Sequence, residues 1–197
     1  DADLLWDARN SLCMLLPEVR REGILGVLKR VDTSFATRQS GDFRAVNRDG
    51  FYVDLIRPED ESIFSSRTSD RLGDRDDDLQ GSPIHGLHWV INAPRFEQIA
   101  IGEDGYPLRL ISPDPRAFAL HKLWISRLAD RDPVKRLRDE QQAMSVSLIA
   151  RKHLNLDFAA DDLQSLPAEL RRLTTKLVQP KSKSKKPAAS KPPEPNW

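Results

Sequence analysis

Three aspartates in two strand-like segments constrain this chain more than any other feature. Asp1 and Asp3 precede a short apolar run, and Asp54 lies inside the apolar run of residues 51–56. Successive side chains of a strand alternate between its two faces, so Asp1 and Asp3 would share one face. If the two segments pair, three carboxylates meet, and a hard divalent cation relieves their repulsion. The pattern predicts a Mg²⁺ or Mn²⁺ site suited to phosphoryl or nucleotidyl transfer. The alternative for Asp54 is a solvated carboxylate at a sheet edge.

The composition favours one domain, or one domain with a small helical partner. The chain has 197 residues, of which 39% are hydrophobic and 31% charged, and its formal net charge is +1. So small a net charge gives no global field for binding nucleic acid. The single Cys13 cannot form an internal disulfide, which favours a reducing, cytoplasmic location. No apolar run approaches the roughly 20 residues that span a bilayer, so we expect no membrane segment.

A hairpin signal positions the third aspartate. Two β-prone segments, 43–47 and 51–56, flank the pair Asp49-Gly50. Asp-Gly between such segments is typical of a type I′ turn, in which both central residues have positive φ. Asp54 would then lie in the second strand of the hairpin, on the face that also carries Tyr52 and Ile56.

Periodicity and helix-start signals assign the remaining elements. Asp114-Pro115 and Asp132-Pro133 each place a capping carboxylate before a proline at the first helical position. Helices are predicted at 18–30, 115–130, 133–154 and 167–178, and further strands at 1–6, 88–92, 96–101 and 108–111. The helix over 18–30 is weakened by Gly23 and Gly26. The helix over 133–154 is expected to bury one stripe of apolar side chains, formed by Val134, Leu137, Met144 and Leu148.

Two groups of potential metal ligands are interpreted as non-metal features. Residues 59–82 are polar and predict a mobile surface loop, in which Asp76, Asp77 and Asp78 would be solvated. His85 and His88 are three residues apart, but no second ligand pair lies nearby, which disfavours zinc.

A second set of polar residues lies on the two late helices. Lys122 is on the first of them, and Lys135 and Asp139 are four residues apart on the second. One interpretation is a solvated helix face with an ion pair between Lys135 and Asp139. The other is a basic wall opposite the carboxylates that binds a triphosphate, because cations stabilise a transferring phosphoryl group.

Taken in order, these motifs resemble a bacterial nucleotidyltransferase-fold family of the DNA polymerase β-like superfamily. The resemblance covers roughly residues 1–155 and is carried by the segments DADLL at 1–5, DGFYVDLIRP at 49–58, ALHKL at 119–123, and KxxRDxQQA at 135–143. It implies an α/β (α+β) fold, with a mixed sheet, flanking helices and a C-terminal helical subdomain. The superfamily also carries a Gly-Ser or Gly-Thr turn before the first aspartate. This sequence lacks that turn, so we expect an N-terminally truncated chain.

The resemblance also implies an activity and a set of site residues. Asp1, Asp3 and Asp54 match the catalytic metal ligands, and Lys122, Lys135 and Asp139 match polar positions of the segment that closes over the nucleotide. The implied reaction moves a nucleoside monophosphate from an NTP to a hydroxyl of a protein, an RNA or a small molecule, with Mg²⁺ or Mn²⁺ as cofactor. The alternative is a non-catalytic interaction module of a toxin–antitoxin or phage-defence system.

The expected domain organisation has three parts. They are a nucleotidyltransferase core at 1–112, a helical subdomain at 113–178, and a disordered Lys-rich tail at 179–197. The tail is interpreted as a solubilising extension, with weak contact to RNA as the alternative.

Overall fold

The fold is built on a small mixed sheet with helices packed beside it. The structure is a computed structural model that describes residues 2–5, 17–59, 75–159 and 161–178, and the side chains within these ranges except those of 17–20. Its strands are β1 (Ala2–Leu5), β2 (Ala36–Thr37), β3 (Arg44–Val46), β4 (Tyr52–Pro58), β5 (Ser82–Ile84), β6 (Arg95–Ile101) and β7 (Pro107–Pro113). Its α-helices are α1 (Pro17–Val31), α2 (Leu87–Asn92), α3 (Pro115–Ile125), α4 (Pro133–Lys152), α5 (Ala168–Arg171) and α6 (Thr174–Val178).

The central strand of the main sheet is β4. The strand order is β1-β4-β3-β2, and β5 also pairs with β4. β1 and β5 run parallel to β4, whereas β3 runs antiparallel to it. A separate two-stranded sheet is formed by β6 and β7. This arrangement confirms the expected α/β (α+β) fold with a mixed sheet and flanking helices.

Strict alternation along β4 separates the core from the face that carries Asp54. Val53 and Leu55 are buried and pack with Leu25 of α1 in one hydrophobic cluster. Tyr52 and Ile56 share the opposite face with Asp54, as predicted, because side chains of a strand alternate. The apolar positions of β4 therefore determine which way Asp54 points.

The β3–β4 hairpin is confirmed, but its turn type is not the predicted one. The amide of Gly50 donates to the carbonyl of Asn47, and among residues 48–50 only Gly50 has a positive φ, of 77°. A type I′ turn needs positive φ at both central residues. The loop instead has three residues and ends in glycine, the residue that adopts positive φ without steric cost.

Helix α1 bends at Gly23, and Asp78 caps its second half. Gly23 has φ 73° and ψ 172°, outside the helical region. The amides of Ile24 and Leu25 donate to the Asp78 carboxylate at 3.1 and 2.9 Å. A Cβ on Gly23 would lie only 2.4 Å from the Asp78 carboxyl carbon. The prediction that Asp78 is solvated was therefore wrong, since this carboxylate is buried against orphan amides of a helix start.

The two long helices begin where their capping signals predicted. Asp114 accepts a hydrogen bond from the amide of Arg116, and Asp132 accepts from the amides of Val134 and Lys135. Helix α3 buries Leu120 and Trp124 in a second hydrophobic cluster, which also contains residues of α4, α5 and α6. Helix α3 is shorter than predicted, because the chain turns after Ile125.

The predicted apolar stripe of α4 was wrong for three of its four residues, whereas Met144 is half-buried and packs against the second hydrophobic cluster. Val134 and Leu137 are 80% and 61% exposed, and Leu148 is also exposed. The buried side chains of α4 are instead Asp139, Ala143, Ser147 and Ala150. Small residues on the contact face let α4 lie close to α3.

Two other predicted elements differ in type or number. The segment 88–92 is the helix α2 rather than a strand, because Leu87 and Val90 are spaced for one helical face and are both buried. The predicted helix 167–178 is two short helices, α5 and α6. Cys13, residues 60–74 and the tail 179–197 lie outside the described residues. Within the described residues, no helix combines the length and apolarity required to cross a bilayer.

We expect Asp78→Ala to destabilise the protein by about 2 kcal/mol, because two buried amides lose a charged acceptor. The urea midpoint of unfolding measures this loss. Asp77→Ala is the matched control, since Asp77 is an exposed neighbour whose ion pair with Arg75 lies in solvent. A midpoint for Asp78→Ala equal to that of Asp77→Ala would show that Asp78 does not hold the bend in α1.

Candidate functional site

Asp3 and Asp54 lie side by side on one face of the sheet. Strands β1 and β4 are parallel, and their register pairs the Cα of Asp3 with the Cα of Asp54. Paired residues of adjacent strands point to the same face, which here is opposite to buried Val53 and Leu55. The predicted convergence of the two segments is therefore present for Asp3 and Asp54. Asp1 lies outside the described residues.

Arg44 belongs to the same face and was missed by the sequence reasoning. The register of β3 pairs Arg44 with Asp54. Its Nε donates to Oδ1 of Asp54 at 2.6 Å, and its Nη2 donates to Oδ2 at 2.5 Å. The hydrogen bond to Asp54 raises the pKa of Arg44 above its ordinary value. The predicted hairpin could have indicated this contact, because a turn that pairs Val46 with Tyr52 also pairs Arg44 with Asp54.

The two described carboxylates offer a donor set that fits a divalent cation. Both provide hard oxygen ligands of the kind that Mg²⁺ and Mn²⁺ prefer, and Asp3 is exposed. Each oxygen of Asp54 accepts one hydrogen bond from Arg44, but a carboxylate oxygen has two lone pairs and can accept a further partner. Among the described residues there is no cluster of three acidic, histidine or cysteine side chains. A three-carboxylate site would therefore require Asp1.

A cleft of about 520 Å³ lies beside β1 and reaches Asp3. Its walls come from β1, the end of α2 and the base of the β6–β7 hairpin, and they include Asp3, Leu5, Val90, Pro94, Arg95 and Ile111. The volume is in the range of small-molecule sites. Mainly apolar walls with one carboxylate and one guanidinium suit a ligand that has an apolar body and few polar groups.

A second ionic cluster joins α3 to α4. Asp139 is fully buried, Lys122 Nζ lies 3.1 Å from its Oδ1, and Arg131 donates to its Oδ2 through Nε at 2.8 Å and Nη2 at 2.6 Å. We call these three residues the helix-pair cluster. Burial acts to raise the pKa of Asp139, but the Arg131 hydrogen bond and the charge of Lys122 outweigh burial, so this pKa lies below its ordinary value.

Lys135 does not join the helix-pair cluster. Its side chain is exposed and lines a separate pocket of about 340 Å³, together with Arg131, His85 and Asp132. Of the three helix residues singled out in the sequence, the structure therefore brings together Lys122 and Asp139 and leaves Lys135 on the adjoining surface. Asp139 was expected to pair with Lys135. It pairs instead with Arg131, which lies in the turn between the two helices.

His121, next to Lys122, is a buried neutral imidazole. Its Nε2 lies 2.9 Å from the carbonyl oxygen of His85 and donates to it. Burial lowers the pKa of His121 from 6.5 to about 4. His85 itself is exposed, stacks on Trp124 with ring centroids 5.2 Å apart, and lies 2.9 Å from Glu59. These histidines therefore serve packing and hydrogen bonding within the helical part of the fold.

Comparison with known families agrees with this geometry. A family described as "Nucleotidyltransferase" matches residues 1–167. The chain belongs to this nucleotidyltransferase family. The match includes both Asp3 and Asp54, and it extends through the helix-pair cluster. Searches of curated proteins and of solved structures gave no match.

We expect Asp139→Ala to destabilise this nucleotidyltransferase-family chain by about 3 kcal/mol, because two cations lose their buried partner. Chemical denaturation measures the change. The control is Asp130→Ala, which removes an exposed carboxylate of the turn just before α4. Equal stability of the two variants would contradict a structural role for the helix-pair cluster.

The stability of the protein should fall between pH 6.5 and pH 4 through His121. In this window the unfolded chain binds a proton at His121 and the folded chain does not, because the pKa of His121 is about 4 in the fold. Proton uptake by the unfolded state favours unfolding on acidification, by on the order of 2 kcal/mol.

His121→Gln keeps a side-chain donor, so it should flatten the decline in unfolding free energy over this window. His153→Gln, at an exposed histidine, is the matched control. The measurement is chemical denaturation at several pH values. A decline that is identical in His121→Gln and the parent would contradict this assignment.

Proposed function

We propose that this chain transfers a nucleoside monophosphate from an NTP to a hydroxyl group and releases pyrophosphate, with Mg²⁺ or Mn²⁺ as cofactor. The observation that supports it most is the register of β1 and β4, which places Asp3 beside Asp54 on one face in a chain of a nucleotidyltransferase family. Neighbouring carboxylates on a rigid sheet suit the binding of a divalent cation.

The proposed roles of the carboxylates follow from their positions. Asp1, Asp3 and Asp54 would hold the metal, and Asp54 would also take the proton of the attacking hydroxyl. A bound divalent ion supplies charge neutralisation for the triphosphate and favours the ionised form of the hydroxyl. Val53 and Leu55, the neighbours of Asp54 in β4, are both buried. They fix the backbone of Asp54, so this carboxylate is in position before substrate binds.

The helix residues are proposed to act on the triphosphate. Lys122 and Lys135 would contact phosphate oxygens, because cations stabilise charge on a transferring phosphoryl group. Asp139 is buried, so it is a positioning residue that holds Lys122 and Arg131 at the end of α3 and the start of α4. The acceptor would be a protein, an RNA or a small molecule, and the cleft beside Asp3 suits an acceptor with an apolar body. A cytoplasmic location is a further prediction from sequence, and weak RNA contact is the alternative to a solubilising role for the 179–197 tail.

We expect Asp54→Asn to abolish Mg²⁺-dependent NTP binding and pyrophosphate release while the protein stays folded. The amide keeps the shape of the side chain but removes the charge that a divalent cation needs. Isothermal titration of ATP, GTP, CTP and UTP, each with and without Mg²⁺, measures binding, and a coupled pyrophosphate assay measures turnover. Asp49→Asn, in the exposed turn of the same hairpin, is the matched control. Turnover in Asp54→Asn equal to that of the control would remove Asp54 from the mechanism.

The second candidate function is a non-catalytic interaction module. It is favoured by the β6–β7 hairpin, where Ile99 and Tyr106 are 69% and 74% exposed, and by the exposed apolar residues of α4. Exposed apolar side chains gathered on one hairpin suit contact with a partner protein. The same titration discriminates the two functions, because a folded protein that binds none of the four nucleotides with Mg²⁺ would favour the interaction module.

A further inference from the structure

We propose that Arg44 is a resident counter-cation of Asp54 that competes with a divalent cation for the same carboxylate oxygens, and so sets the metal affinity of the site. The inference rests on the proposed function, because it concerns the carboxylate assigned there to metal binding.

The contact between the two side chains occupies both oxygens of Asp54. Nε of Arg44 donates to one oxygen at 2.6 Å, and Nη2 donates to the other at 2.5 Å. This is the bidentate geometry in which a planar guanidinium matches a carboxylate. A divalent cation that approached either oxygen of Asp54 would be repelled by the positive charge of Arg44.

The surroundings of Arg44 hold it over Asp54 without burying it. Its guanidinium carbon lies 4.9 Å from the ring centroid of Tyr52 and 5.5 Å from that of Phe43. Such cation–π contacts favour this orientation at an exposed site. The Arg44 side chain is 41% exposed, whereas that of Asp54 is 14% exposed. Solvent therefore reaches the guanidinium, and Arg44 can turn outward without opening the core.

The position of the pair distinguishes it from the structural ion pairs of this protein. Arg44 and Asp54 lie on the sheet face opposite to the buried cluster of Val53, Leu55 and Ala45. Asp139 is instead fully buried, and its two cations join one helix to another. The Arg44–Asp54 pair joins two strands that are already held by backbone hydrogen bonds, and its nearest carboxylate neighbour in register is Asp3.

The test is the affinity for Mn²⁺ alone, measured by electron paramagnetic resonance on the full chain without nucleotide. Arg44→Gln should bind Mn²⁺ roughly tenfold more tightly than the parent, because a neighbouring positive charge is removed. Arg44→Lys keeps the charge but loses the bidentate fork, so its affinity should lie between the two. The matched control is Arg109→Gln, which removes a guanidinium paired with Glu97 on the separate β6–β7 hairpin. This control should bind Mn²⁺ as the parent does.

A second readout follows Arg44 directly. Adding Mg²⁺ to the ¹⁵N-labelled parent should shift the Nε–H resonance of Arg44 as its hold on Asp54 weakens, and the resonance of Arg109 should not move. If Arg44→Gln does not fold, the Nε–H resonance of Arg44 and the Mn²⁺ affinity of Arg44→Lys test the role of Arg44.

Three outcomes would overturn the inference. The first is a folded Arg44→Gln that binds Mn²⁺ no more tightly than the parent, while Asp54→Asn loses Mn²⁺ binding. This result would overturn the role of Arg44 and leave the proposed function standing. An Arg44 resonance unmoved by Mg²⁺, with Mn²⁺ binding present in the parent and lost in Asp54→Asn, would do the same. Mn²⁺ binding in Asp54→Asn equal to that of the parent would instead remove the metal site itself, and both proposals would fail together.

Discussion

The parallel pairing of β1 with β4 is the constraint on which the candidate site depends. It places Asp3 beside Asp54, and the alternation of β4 directs both carboxylates away from the buried side chains of Val53 and Leu55. A shift of β1 by one residue against β4 would turn Asp3 to the opposite face of the sheet and end its pairing with Asp54, because side chains alternate along a strand. The hydrophobic pattern therefore protects the geometry of the site as well as the fold.

Three carboxylates among the described residues, Asp78, Asp139 and Asp54, are compensated in different ways. Asp78 accepts two backbone amides and caps a bent helix, and Asp139 lies fully buried between two cations. Asp54 instead pairs with one half-exposed guanidinium on a solvent-facing sheet surface. The first two arrangements tie elements together. The third holds a half-buried carboxylate on the sheet face opposite the core, beside Asp3.

Local signals predicted much of the fold correctly. The wrong predictions concern segments whose structure depends on packing against other parts of the chain. The hairpin at Asp49-Gly50 and the capped starts at Asp114 and Asp132 depend on residues close in sequence, so they could be predicted. The segment 88–92 has strand-like composition but forms α2, because Leu87 and Val90 find a buried face only as a helix. The apolar stripe predicted for α4 was largely wrong, because α4 packs closely against α3 and buries mainly small side chains there.

The sequence by itself determined the strands that carry Asp3 and Asp54, the helix starts, and membership of a nucleotidyltransferase family, which the family match over residues 1–167 confirmed. These features depend on local periodicity, turn chemistry and capping, which neighbouring residues specify. Only the tertiary structure decided which charges meet: Arg44 with Asp54, Arg131 with Asp139, and Asp78 with the amides after Gly23. Such contacts depend on strand register and helix packing between distant segments. Composition and spacing along one chain do not specify the partner of each charge.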